Sequence, residues 1–154
     1  WIHGYSFYEK KGVKHNLEIM VLKTDQLKES IVKYLLDAKI IKHKPKDFVC
    51  MLHYAGSGCS IDWHTDAPSN DDTTGNSNTC GITIFMNKTW QNNWGGQFMH
   101  KNKFDDMEGK FITPVYNIAI LNNGVEPHGV APVSYGADPR LTFQIFLDKD
   151  SLND

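Results

Sequence analysis

The chain has 154 residues, 40% of them hydrophobic and 22% charged, with a formal net charge of -2. That length supports one core without staples, and the composition is that of an ordinary globular protein. The charge removes the electrostatic argument for nucleic acid or an anionic membrane surface, and no apolar run is long enough to span a bilayer. The three cysteines, Cys50, Cys59 and Cys80, are odd in number and lack Cys-x-x-Cys spacing. We therefore expect reduced thiols and a cytoplasmic location. No secretory signal is visible, so the glycosylation sequon Asn87-Lys88-Thr89 is taken as coincidental.

In chain order, residues 17–22 read as a short apolar strand. Thr24 is a predicted N-cap for a helix from Asp25 to about Ala38. Leu27, Ile31, Tyr34, Leu35 and Ala38 fall on one helical face, which predicts a stripe packed against the outside of a sheet. Residues 39–46 are basic and read as a solvated loop. From Asp47 onward the pattern predicts short strands near 48–54, 60–66, 79–87, 96–101, 115–121, His128 and 141–147. Turn residues separate them: Gly56-Ser57-Gly58, Gly95-Gly96, Asn122-Asn123-Gly124 and Gly136. Many short strands behind one helix predict a mainly β domain, a sandwich or barrel with a helical buttress. We read it as a single domain, with residues 1–46 as an N-terminal part and 47–148 as the core. Residues 68–78 are polar and of low complexity, and read either as a lid or as a plain connector.

The chemistry concentrates in Trp63-His64-Thr65-Asp66, with His128 and Arg140 downstream. Residues two apart on a strand share a face, so His64 and Asp66 would project side by side. A later strand carrying His128 would complete two imidazoles and one carboxylate on one face of a metal. That ligand set leaves the opposite positions open, as in non-heme Fe(II) oxygenases. Arg140 opens the alternating stretch Arg140-Leu141-Thr142-Phe143-Gln144-Ile145-Phe146. An arginine facing the inside of a barrel is costly unless it meets an anion.

With Glu126-Pro127-His128-Gly129 and Pro139-Arg140-Leu141-Thr142 in place, the chain resembles the 2-oxoglutarate- and Fe(II)-dependent dioxygenases. The likeness is greatest to their prolyl 4-hydroxylase-like branch, and it covers roughly residues 48–148. It implies a double-stranded β-helix, or jelly roll. It implies Fe(II) held by His64, Asp66 and His128, with 2-oxoglutarate and O2 as cosubstrates and ascorbate as an accessory. It gives Arg140 the distal carboxylate of 2-oxoglutarate, aided by Thr142. Tyr54, ten residues before His64, is expected in the cosubstrate pocket. Phe85 stands where many prolyl hydroxylases carry a second tyrosine, and Thr83 on the same strand face is the expected partial substitute. Asp66 argues for hydroxylation, because related halogenating enzymes have a small residue there. Gly95-Gly96 resembles the family's turn into the next strand, and is read as a tight turn or a bulge. His53 and His100 are read as non-ligands. Trp63, Trp90 and Trp94 are read either as a substrate entrance or as core.

The implied activity is hydroxylation of an unactivated C–H bond, with a prolyl residue of a protein or peptide as the favoured substrate and release of succinate and CO2. A free amino acid or another small molecule is the alternative substrate class, and nucleic acid is not expected. Two rivals are a cupin-like metal oxygenase that does not use 2-oxoglutarate, and a non-catalytic metal-binding module.

Overall fold

The computed structural model describes residues 2–4, 17–66 and 78–153. Apart from Asn78, the segment read as a lid or connector lies outside the described residues. The elements in chain order are β1 (Ile2–Gly4), β2 (Leu17–Val21), α1 (Asp25–Asp37), β3 (Phe48–Ala55), β4 (Ile61–His64) and β5 (Thr79–Phe85). They continue with β6 (Phe98–His100), β7 (Lys110–Ile112), β8 (Ala119–Asn122), β9 (His128–Val130) and β10 (Arg140–Asp148). A six-stranded sheet has the order β1-β2-β3-β10-β5-β8, and a four-stranded sheet the order β4-β9-β6-β7. All pairings are antiparallel. The two sheets form the jelly roll, and α1 is its buttress.

The large sheet is covered on both faces, and β10 at its centre shows how. Its odd positions Ile145 and Leu147, with Phe143 partly covered and Cys50, Cys80 and Ile82 of the neighbouring strands, pack with Leu22, Val32, Leu35 and Ile41 in an apolar cluster under α1. Its even positions Arg140, Thr142 and Gln144 are buried on the opposite face, toward the small sheet. A second cluster, built on Leu17, Ile19, Ala55, Cys59 and Val133, joins the two sheets there. Strand alternation thus splits one strand into a structural face and a polar interior face.

Of the expectations about α1, its span and N-cap position hold, and its buried stripe is corrected. Thr24 occupies the N-cap position in an extended conformation, but its side chain makes no capping bond. The buried stripe runs through Val32 and Leu35, with Ile31 partly covered, whereas Tyr34 is 68% exposed and Leu27 is exposed as well. The helix is rotated from the predicted face because the sheet touches it along Val32 and Leu35. Strand β7 was not anticipated. Its residues are exposed or half-buried and carry no alternation, so its extended form comes from pairing with β6. Among the described residues, no helix is long and apolar enough to cross a membrane.

Candidate active site

His64 is the last residue of β4 and pairs in register with His128, the first residue of β9. Their ring centroids are 4.3 Å apart. The strand ends before Asp66, but the Asp66 N–H still donates to the Gly124 carbonyl at 2.9 Å, which keeps its side chain on the shared face. Asp66 Oδ2 lies 3.4 Å from His128 Nε2, and Oδ1 lies 3.7 Å from His64 Nε2. One ligand atom from each of the three residues falls within 4.8 Å of the others.

The ring orientations are set by the backbone. His64 Nδ1 is 2.7 Å from the Asp62 carbonyl, and His128 Nδ1 is 2.9 Å from the Glu126 carbonyl. A carbonyl only accepts, so each Nδ1 carries the proton and each Nε2 keeps its lone pair toward Asp66. This is the tautomer a metal requires. Asn122 Nδ2 donates to Asp66 Oδ2 at 3.2 Å and lies 3.1 Å from His128 Nε2. Gly81, across on β5, leaves room for the carboxylate, because a Cβ there would stand 3.3 Å from Asp66 Oδ2. Burial lowers the pKa of His64, partly offset by its bond to the Asp62 carbonyl. Burial also pulls on His128, but the bond and charge that Asp66 offers to the protonated ring outweigh it and leave the pKa raised. Metal binding competes with protonation at these nitrogens.

The second half of the pocket is built around Arg140. Only 1% of its surface is exposed. Its Nε donates to the Gly96 carbonyl at 2.8 Å, and its Nη1 reaches Thr142 Oγ1 at 3.5 Å. The guanidinium lies over the Phe85 ring, 5.3 Å from the centroid. Nη2 has no hydrogen-bond partner, and no carboxylate pairs with Arg140 among the described residues. Burial lowers its pKa to about 10, which still leaves it cationic at neutral pH. A buried cation without a counter-charge is costly, so this arrangement suits an anion.

The surroundings hold Arg140 in place. Gly95 and Gly96 have φ of +70° and +67°, so the Gly-Gly turn takes a conformation that L side chains rarely adopt. A Cβ on Gly96 would meet Arg140 Cδ at 3.0 Å. Asn87 clamps the entry to β10, donating to the Pro139 carbonyl at 2.8 Å and accepting from the Leu141 N–H at 2.7 Å. The segment set aside as a coincidental sequon therefore carries a positioning residue. Gln144 Nε2 donates to Thr142 Oγ1 at 3.0 Å, and Thr83 Oγ1 donates to Gln144 Oε1 at 2.7 Å. Thr142 accepts twice, so its own proton is left for another acceptor.

The structure brings His64, Asp66, His128, Arg140 and Thr83 to one pocket. Thr142, bonded to Arg140, joins them. It does not bring Tyr54 there. Tyr54 pairs with Leu141 and Glu18, so it lies on the opposite face of the sheet from Arg140 and Thr142. Its neighbour His53 pairs with Thr142 and lines the pocket instead. The expected substitution by Thr83 is indirect, because its hydroxyl is committed to Gln144. Phe85 is buried beside Arg140. Trp90 and Trp94 pack edge to face at 5.3 Å, and Trp90 joins the second core cluster. Trp63 is 38% exposed with Lys101 Nζ 4.8 Å from its ring. His100 lies outside the three-residue metal grouping. Asn87, Asn122 and Gln144 were not singled out in the sequence. Only the alternation of β10 pointed to one of them.

The family model of the 2OG-Fe(II) oxygenase superfamily matches residues 49–148. No curated protein gives a significant match. Among solved structures, a Pseudomonas putida prolyl-4-hydroxylase is 18% identical, with a TM-score of 0.62 over 88% of this chain and 73% of that one. A Trichoplax adhaerens prolyl hydroxylase, solved with a hypoxia inducible factor peptide fragment, is 17% identical, with a TM-score of 0.64 over 88% of this chain and 64% of that one. A 2OG-Fe(II) oxygenase family oxidoreductase from Burkholderia pseudomallei is 18% identical, with a TM-score of 0.65 over 90% and 72%. These likenesses establish the fold. With the family match spanning residues 49–148, the chain belongs to the 2OG-Fe(II) oxygenase superfamily.

Proposed function

We propose that the chain is a dioxygenase that uses Fe(II), 2-oxoglutarate and O2 to hydroxylate an unactivated C–H bond, most readily that of a prolyl residue in a protein or peptide. The observation that carries this reading is the pairing of two sites in one pocket. Three ligand atoms converge within 4.8 Å, and a fully buried arginine beside them holds an unpartnered Nη2. The donor set suits Fe(II), and the orphaned cation suits a carboxylate.

In this reading His64, Asp66 and His128 hold the metal through Nε2, a carboxylate oxygen and Nε2, and leave its other positions open. Asn122 and the Asp62 and Glu126 carbonyls orient those ligands. Arg140 and Thr142 take the distal carboxylate of 2-oxoglutarate by charge-assisted bonds. When bound, the iron and 2-oxoglutarate supply the oxidising chemistry, with succinate and CO2 as coproducts. The buried faces of the two sheets exclude water around the anion. The prolyl assignment is supported by fold neighbours that are prolyl hydroxylases, one of them solved with a peptide. Ascorbate as an accessory and a cytoplasmic setting complete the proposal, the latter supported by three free, buried thiols. The orphaned Arg140 favours this reading over a cupin-like oxygenase without 2-oxoglutarate.

The test needs no substrate. Fe(II) and 2-oxoglutarate are added without oxygen, and the visible charge-transfer absorption of the chelate is recorded for the wild type and Arg140→Ala. We expect a band that weakens in the variant. Bound iron without a band would reject 2-oxoglutarate as cosubstrate.

A further inference from the structure

His53 lies on the interior face of β3, directly across from Thr142. Thr142 is flanked on its other side by Phe85 of β5. The row across the sheet is therefore His53, Thr142, Phe85, with Arg140 one step along β10. Phe85 offers no hydrogen bond. His53 lines the same pocket as Arg140 and Asp66, yet neither Nδ1 nor Nε2 of its buried ring has a hydrogen-bond partner. The adjacent polar side chains Thr83, Gln144 and Thr142 are bonded to one another. Two unpartnered polar groups, Arg140 Nη2 and the His53 ring, thus sit diagonally on one face, at a spacing that long side chains bridge.

Burial first, and then the positive charge of Arg140, push the His53 pKa down to about 4, with Asp66 acting weakly the other way. The ring is therefore neutral at physiological pH, with one N–H donor. A buried polar ring without a partner calls for an explanation, and a bound acceptor supplies one.

We propose that His53 is a cosubstrate-binding residue, its ring N–H donating to the distal carboxylate of 2-oxoglutarate from the side of Thr142 opposite Phe85. Arg140, Thr142 and His53 would then enclose that carboxylate with three donors, while Phe85 closes the fourth side. The inference rests on the reading of the chain as a 2-oxoglutarate enzyme.

The experiment crosses a variant with a truncated ligand. Zn(II)-loaded protein is titrated calorimetrically with 2-oxoglutarate and with 2-oxopentanoate, which carries a methyl in place of the distal carboxylate. We expect His53→Leu to weaken 2-oxoglutarate by about tenfold or more, the loss of one hydrogen bond to a charged group. It should leave 2-oxopentanoate unchanged within about twofold, and His53→Gln, which keeps a donor, should recover most of the loss. Unchanged 2-oxoglutarate affinity in His53→Leu, or an equal loss for both ligands, would overturn the assignment. A wild type that binds no 2-oxoglutarate would remove the functional reading and this inference with it. A second measurement avoids variants that fail to fold. The 15N resonances of the His53 ring in the wild type should shift with 2-oxoglutarate and not with 2-oxopentanoate. The same response to both ligands would again overturn it.

Discussion

The two faces of β10 are buried to similar depth and have opposite chemistry. Facing α1, Ile145 and Leu147 pack with Cys50, Cys80 and Ile82 in an apolar cluster. Facing the small sheet, Arg140, Thr142 and Gln144 form a hydrogen-bonded chain that ends in an unpartnered guanidinium nitrogen. The first face stabilises the fold. The second leaves a buried charge unpaired, the kind of local cost that proteins carry at functional sites.

Substitutions should separate the two faces. The largest effect is expected from Asp66→Ala, which should abolish turnover. It should weaken metal binding by more than the roughly hundredfold lost when a group supporting a ligand is removed. Full activity in that variant would take Asp66 out of the ligand set. Arg140→Met keeps bulk and removes the unpaired charge. It should eliminate 2-oxoglutarate binding in calorimetry while leaving the melting temperature unchanged or raised, since replacing buried charge with apolar bulk is commonly neutral or stabilising. A lowered melting temperature would mean that Arg140 is a structural residue.

Ile145→Ala is the mirror experiment. It should cost about 2–5 kcal/mol in denaturant unfolding, without changing 2-oxoglutarate affinity in the folded protein. The pH dependence of stability tests His53 on the interior face. Its pKa falls from 6.5 to about 4 on folding, so between those values the unfolded chain holds a proton the native ring lacks. Stability from this group is full above pH 6.5 and is lost as pH falls toward about 4, on the order of 3 kcal/mol in all. His53→Gln should flatten that slope, and an unchanged slope would assign it to other groups. The smallest effect should come from Asn87→Ala. Losing the clamp at Pro139 and Leu141 should weaken 2-oxoglutarate binding severalfold, on the scale of one ordinary hydrogen bond of about 1 kcal/mol.

The His64–Asp66 part of the candidate metal site was legible in the sequence because it is local, and the family resemblance pointed to His128. His64 and Asp66 share a short motif, and His128 follows a proline-marked turn. The anion half was legible at Arg140 and Thr142, since alternation along one strand fixes their common face. It was not legible on β3. Pairing of Leu141 with Tyr54 and of Thr142 with His53 turns Tyr54 outward and His53 inward. A register shifted by one residue would reverse them. The same limit applies to α1, whose periodicity gave a stripe but not the contact line, and to β7, whose strand exists only through its partner.

By itself, then, the sequence pointed to the class of fold, to the three residues that converge and to the one arginine buried beside them. Those follow from side-chain chemistry, short-range periodicity and the resemblance that the motifs carry. The tertiary structure alone decided which neighbours face that arginine. It turned Asn122 toward Asp66, Asn87 around the start of β10, and His53 in place of Tyr54 toward the pocket. These choices depend on register between strands far apart in the chain, a long-range quantity that no local pattern encodes.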